Sequence, residues 1–154
     1  MVFSPEQPVT RAEAAVMTAR ALKLKPAVYN GRFKDVQIGA DGCDDIERAT
    51  NAGIMQGYGD VFAPDKLLSR QEAAVIITGC MELLGGMVEP GAETFPDNGS
   101  IAPWARKAVS KAVGEQIISG MPDGEFKPEA PLTRAQLCTL LYRIIEWSRD
   151  ERRI

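Results

Sequence analysis

Three segments of the chain open in the same way: "VTRAEAAV" from Val9, "LSRQEAAV" from Leu68 and "LTRAQLCT" from Leu132. Each places a hydroxyl residue before an Arg and a Glu or Gln three positions after the hydroxyl. The pairs are Thr10/Glu13, Ser69/Glu72 and Thr133/Gln136. This is the capping box, in which the hydroxyl and the acid or amide each satisfy one orphan N–H at a helix start. Apolar residues follow at helical spacing: Ala15, Val16, Ala19 and Leu22; then Val75, Ile76, Met81 and Leu84; then Leu137, Leu140, Leu141, Ile144, Ile145 and Trp147. A pattern that recurs at an interval of about 60 residues is built from repeated supersecondary units, none of which buries its own apolar face alone.

The self-similarity reaches upstream of these helices. Phe3-x-Pro5, Phe62-x-Pro64 and Phe126-x-Pro128 precede the three Arg starts. "AGIMQGYGDVF" from Ala52 matches "EQIISGMPDGEF" from Glu115, and "FKDV" at Phe33 matches "FPDN" at Phe95. The chain therefore divides into a partial unit one (1–24, second helix only), unit two (33–85) and unit three (95–148). The linkers between them are rich in Gly and Pro. In each full unit a first helix precedes a Gly/Asp turn. The spacing predicts it from Asp44 or Asp45, as N-caps, to Gly53 in unit two, and over 103–115 in unit three. The fold expected is all-α, with the three second helices meeting in a central bundle and the short helices outside. Unit one lacks a first helix, so the flank of its second helix is expected to stay open and to favour a symmetric homodimer. The terminal "SRDERRI" reads as a frayed helix end.

Composition narrows the chemistry. The chain has no histidine, which removes imidazole bases and most zinc sites. Paired-carboxylate glycoside hydrolysis is the one enzymatic form left, and no two carboxylates are singled out by the repeats. No enzyme activity, metal or cofactor is expected. A net charge of −3 argues against nucleic acid as the main partner, and no apolar run is long enough to span a bilayer. The N-terminal residues lack the basic and apolar regions of a signal peptide, so the chain reads as cytoplasmic or as a segment of a longer exported protein. Three widely spaced cysteines give no disulfide framework. Cys80 and Cys138 read as core residues and Cys43 as a loop residue open to solvent.

These motifs resemble the S-layer homology repeat. The resemblance is carried by Phe33-Asp35-Val36, Phe95-Asp97, Trp104, Gly53-Ile54-Gly57, Phe62-x-Pro64, Phe126-x-Pro128 and the three Arg starts. It covers nearly the whole chain. Departures are the segment "ADGCDD" where unit two should hold a Trp, and Gln136, Asn98 and Gln116 in place of Glu, Val and Gly. The resemblance implies a non-catalytic, extracellular module with a pseudo-threefold spindle. Such modules anchor bacterial surface proteins to an anionic secondary cell-wall polysaccharide, often one bearing a pyruvylated sugar, in grooves between repeats.

A cation in the first turn of a helix is mildly unfavourable, by a few tenths to about 1 kcal/mol, because it faces the positive end of the dipole. Three repetitions of it call for a reason. Two readings are open. Arg11, Arg70 and Arg134 could clamp a ligand carboxylate with paired hydrogen bonds beside the helix N-terminus, or they could pair with protein carboxylates such as Asp35 and Asp97 and pin one unit to the next. The candidate ligand set comprises these arginines with Glu13, Glu72, Gln136, Asp35 and Asp97, the loop residues Gly57, Tyr58, Gly59, Asp123 and Gly124, and Trp104. Of the aromatics, Tyr58 between two glycines suits sugar contact better, and Trp104 reads as a helix-packing residue. Asp60 and Asp123 read as turn residues and not as calcium ligands, since neither stands in an EF-hand loop. A protein-interaction or assembly module is the alternative to a carbohydrate anchor.

Overall fold

The protein was analysed as a computed structural model, which describes residues 3–92 and 94–151. The helices are α1 (Arg11–Ala21), α2 (Cys43–Asn51), α3 (Arg70–Leu83), α4 (Pro103–Gly114) and α5 (Arg134–Glu151), with one 3-10 turn at Asn98–Ser100. Among the described residues there is no β-strand, only isolated bridges, and the fold is all-α as expected. α5 runs through the first four residues of "SRDERRI"; the remaining three lie outside the described residues.

All three capping boxes form. The Glu13 N–H donates to Thr10 Oγ1 (3.2 Å) and the Thr10 N–H to Glu13 Oε2 (2.9 Å). The same reciprocal pair links Ser69 with Glu72 (3.3 and 2.9 Å) and Thr133 with Gln136 (3.2 and 2.9 Å). The start expected for α2 needs correction. Its N-cap is Gly42, with φ of 79°, and neither Asp44 nor Asp45 caps it. Both carboxylates instead lie in the first turn, where the dipole favours them. Asp44 Oδ1 accepts the Tyr29 N–H (2.8 Å), and buried Asp45 takes Arg48 Nη1 (2.8 Å) and Arg20 Nε (3.2 Å).

The three units close on one another through backbone just ahead of the capped helices. The Val9 N–H donates to Leu132 O (2.8 Å), the Leu132 N–H to Leu68 O (3.0 Å), and the Leu68 N–H to Val9 O (2.9 Å). Each of these three side chains is at most 1% exposed. The N–H groups of the first two helical residues run round the units in the opposite sense. Arg11 and Ala12 donate to Lys66 O and Pro64 O, Arg70 and Gln71 to Ala130 O and Pro128 O, and Arg134 and Ala135 to Gln7 O and Pro5 O, all within 3.0 Å. First-turn amides that an isolated helix leaves unpaired are thus satisfied by the neighbouring unit.

Helix packing is less even than this backbone cycle. α5 packs on both α3 and α1, while α1 and α3 meet only through long side chains such as Arg11 and Glu72. α2 lies on α1 and α4 on α3, so each first helix covers the second helix of the preceding unit. The flank of α1 expected to be open is therefore occupied, with Ala15 and Ala19 fully buried. The flank without such a cover belongs to α5. There Cys138 and Tyr142 stand where α1 has Ala15 and Ala19, and both are exposed. This corrects the reading of Cys138 as core and removes the structural ground for a homodimer through unit one. Cys43, expected in an exposed loop, is buried as the first residue of α2, and Cys80 is buried as expected.

Two glycines in one loop separate steric from conformational need. A Cβ on Gly57 would lie 2.4 Å from Phe33 Cε1 and 2.6 Å from Val61 O, whereas one on Gly59 would meet nothing, though φ there is +66°. Gly57→Ala is expected to cost about 1–3 kcal/mol by overpacking. Gly59→Ala should cost about 1 kcal/mol through its left-handed backbone alone. Denaturant unfolding of both variants checks the order.

Candidate functional site: the grooves between units

At each inter-unit contact an Arg stacks on the ring of a Phe-x-Pro loop. Arg11 is 5% exposed and stacks on Phe62 and Tyr58, each with its ring centroid 4.8 Å from the guanidinium carbon. Its Nε donates to Phe62 O (2.9 Å) and its Nη2 to Gln56 O (2.7 Å). Arg70, 8% exposed, repeats this with Phe126 O (2.7 Å) and Ser119 O (2.6 Å) and stacks on Phe126 at 4.9 Å. Arg134 stacks on Phe3 at 5.2 Å and gives Nη1 to Glu13 Oε1 at 2.8 Å. The arginines do pin one unit to the next, but mainly through carbonyls, rings and capping-box acids and not through Asp35 or Asp97. A buried guanidinium bonded to main-chain oxygens and stacked on a ring is an arrangement a lysine cannot copy.

Asp35 and Asp97 serve the same joint from the other side. Asp35 accepts the N–H of Phe62 (2.8 Å) and of Ala63 (2.7 Å), and Asp97 those of Phe126 (2.9 Å) and Lys127 (2.8 Å). The rings of Phe33 and Phe62 lie 5.4 Å apart, and those of Phe95 and Phe126 5.3 Å apart. The Phe-x-Asp motif thus holds the Phe-x-Pro loop on which an Arg is stapled. Desolvation pushes the Asp35 carboxyl up, but the Phe62 and Ala63 N–H groups outweigh it and leave the group below the ordinary carboxylate value. Asp97 follows the same course with Phe126 and Lys127.

Two cavities open along these joints. The larger, about 500 Å³, draws on all three units: Arg11 from α1, residues 53–58 of the unit-two loop, Glu72, Val75 and Ile76 from α3, and Trp104 from α4. The Trp104 indole, expected in helix packing, stands 61% exposed as one wall, and Tyr58 is 50% exposed. Glu72 is buried beneath them. Its Oε1 accepts from the Tyr58 hydroxyl (2.7 Å) and Lys66 Nζ (2.9 Å), with Arg11 Nη1 at 3.6 Å. Desolvation raises the Glu72 carboxyl, yet the Ser69 N–H, the Tyr58 hydroxyl and Lys66 bring it below its ordinary value. The second cavity, about 170 Å³, lies between units two and three and is lined by Arg70, Gln136 and Arg143 among others.

Of the candidate ligand residues, the larger groove brings together Arg11, Gly57, Tyr58, Glu72 and Trp104, and the smaller one Arg70 and Gln136. Arg134 and Glu13 pair at the third joint. Asp35 and Asp97 have both carboxylate oxygens on backbone amides, as above. Gly59, Asp123 and Gly124 line neither cavity. Asp123 is a turn residue paired with Lys127 at 2.6 Å and accepting the Glu125 N–H. Sequence reasoning missed the apolar floor of Ile54, Val75 and Ile76, and Arg143 and Lys66, which fall outside the repeated motif. Among the described residues no cluster of His, Cys, Asp or Glu could hold a metal ion, and no helix is long and apolar enough to cross a membrane.

Comparison with known proteins agrees with this architecture. The S-layer homology domain model matches residues 32–74 and 94–138, more than half of the chain, and the protein belongs to the S-layer homology domain family. It is 36% identical over 148 residues to an amylopullulanase of Thermoanaerobacterium thermosulfurigenes, covering 95% of this chain and 8% of that protein. It is 35% identical over 148 residues to a surface-layer 125 kDa protein of Lysinibacillus sphaericus (94% and 12%) and 34% identical over 151 residues to a cellulosome-anchoring protein of Acetivibrio thermocellus (94% and 34%). The chain thus spans about a third or less of these relatives.

The depressed carboxyls of Asp35, Asp97 and Glu72 give a pH dependence. A group whose folded pKa lies below its unfolded value contributes stability above the unfolded pKa, and that contribution fades as pH falls through the folded one. Asp35, Asp97 and Glu72 start from ordinary values of 3.8, 3.8 and 4.5. The melting temperature is therefore expected to fall as pH drops below about 4.5. Asp35→Asn with Asp97→Asn should lower it at neutral pH and flatten its acid slope, as calorimetry across pH 2–7 would show.

Proposed function

We propose that this chain is a non-catalytic module that holds an extracellular protein on the bacterial cell wall by binding an anionic secondary wall polysaccharide. The observation that carries the reading is the larger groove. It encloses about 500 Å³, the exposed side chains of Trp104 and Tyr58 line it, and its polar groups are few, with Tyr58 and Arg11 set against Glu72. Concave sites with apolar walls and a few placed polar groups are where ligands bury most of their surface, and an aromatic face with a polar edge suits the mixed surface of a sugar. The family, and relatives whose names describe surface-layer and cellulosome-anchoring proteins, support the same reading. A pyruvylated sugar would supply the anion.

Co-sedimentation with purified wall polysaccharide tests it. The wild-type protein is expected to bind, and Trp104→Ala to bind about tenfold more weakly, a loss of about 1.4 kcal/mol, with its melting temperature nearly unchanged because the indole is mostly exposed. Absence of wild-type binding to any wall-polymer preparation would overturn the proposal.

A further inference from the structure

Unit two carries three residues beside the larger groove that no other unit has as a set. Tyr58 follows Gly57 in the turn, Lys66 stands two residues before the buried Leu68, and Glu72 closes the capping box. The matching positions in unit three hold Met121, Ala130 and Gln136, so all three differ together. Unit one keeps the acid as Glu13 but has Gln7 in the place of Lys66. The geometry at Glu72 shows what the set does. Its Oε2 accepts the Ser69 N–H of the cap at 2.9 Å. Its Oε1 accepts from the Tyr58 hydroxyl at 2.7 Å and from Lys66 Nζ at 2.9 Å, and Lys66 Nζ also donates to the Tyr58 hydroxyl at 3.2 Å. The three groups form a closed triangle in which that hydroxyl both donates and accepts. Where the lysine is missing, Glu13 Oε1 turns to Arg134 Nη1 at 2.8 Å, whereas Arg11 Nη1 stands 3.6 Å from Glu72 Oε1. Lys66 and Tyr58 thus take the acid that an arginine holds at the other joint.

We infer that Lys66 is a positioning residue for the glycan: with Glu72 it holds the Tyr58 ring in the orientation in which that ring lines the larger groove. Lys66 does not line the groove itself. It acts through Tyr58, whose other supports are already in place. The Tyr58 N–H donates to Val61 O at 2.7 Å, and the Arg11 and Lys66 cations lie 4.8 and 5.3 Å from the ring centroid. The ring is therefore held at its backbone, its face and its hydroxyl while remaining 50% exposed. The bond to Glu72 raises the Lys66 ammonium above its ordinary value, so the group is charged throughout the neutral range. Without Lys66 the Tyr58 hydroxyl loses its donor, and Glu72 Oε1 is left to Arg11 as Glu13 Oε1 is to Arg134. The ring then regains rotamers that it must give up when a sugar is bound. A side chain already set in its bound orientation loses less entropy on binding.

The role rests on the glycan-binding function proposed above, and the test keeps the two apart. Lys66→Met is expected to weaken binding to purified wall polysaccharide about fivefold, the scale of ordering one side chain, with its melting temperature nearly unchanged because Lys66 is half exposed. Two readouts separate positioning from simple attraction of an anionic polymer. The ratio between wild type and variant should persist at about 1 M salt, where the Debye length is about 3 Å. In a Tyr58→Phe background, which lacks the hydroxyl, Lys66→Met should add little, giving a coupled double-mutant cycle. Carbon relaxation of the Tyr58 ring, measured by NMR before any polymer is added, should report a more mobile ring in Lys66→Met than in wild type. Equal binding by wild type and Lys66→Met, additive losses in the double variant, a loss that vanishes in high salt, or an unchanged ring would each overturn the role of Lys66 and leave the function standing. Absence of wild-type binding would overturn the function and this role together.

Discussion

The structure depends on three hydrogen bonds between main-chain atoms of Val9, Leu68 and Leu132. Each residue donates to one unit and accepts from the other, and all are buried. Because the donors sit two residues ahead of an Arg, this small cycle fixes where the helices begin and aims each guanidinium at the loop of the next unit. The Phe-x-Pro loops then supply carbonyls, the Phe-x-Asp segments hold those loops by two amides each, and the grooves are what remains between units joined in this way. A mildly unfavourable cation at a helix start is offset by stacking on a ring and by bonds to oxygens that would otherwise be buried unpaired.

Much of this was legible in the chain. Capping boxes are local, so all three helix starts were placed to the residue, and Pro103 at the first helical position marked α4. The all-α class followed from periodicity. What escaped is non-local. Nothing in "GCDDIE" distinguishes Gly42 as the cap from two aspartates that are ordinary caps elsewhere; the choice went against them because Asp44 is taken by Tyr29 and Asp45 by Arg20, both from other parts of the fold, and by Arg48 within α2. Cys138 read as core because its neighbours are apolar, yet it falls on a flank of α5 that no first helix covers among the described residues.

The grooves were legible in part for the same reason. Their polar residues lie in the repeated motif and could be named. Whether Arg11 is free or spent depends on Phe62 O and Gln56 O, about fifty residues away, and no pattern within one unit announces that. Trp104 reads as a packing residue by its helical register, but its position in the first turn of α4 leaves it at the rim of a groove made by the other units.

Closure of the cycle has a consequence for how the molecule comes apart. In an open solenoid each repeat touches only its neighbours, so repeats can fray from an end and the array can be lengthened. Here Val9 is bonded to Leu132 as well as to Leu68, and Arg134 to Glu13, so no unit is terminal. The backbone cycle links the three units, and the flank that stays uncovered among the described residues is that of α5. Contacts that span more than 120 residues must be made before the cycle gains its last bonds, which places much of the loop-closure entropy ahead of the reward. Such a module should lose its structure as a whole and not unit by unit, a useful property in a domain whose grooves exist only between units.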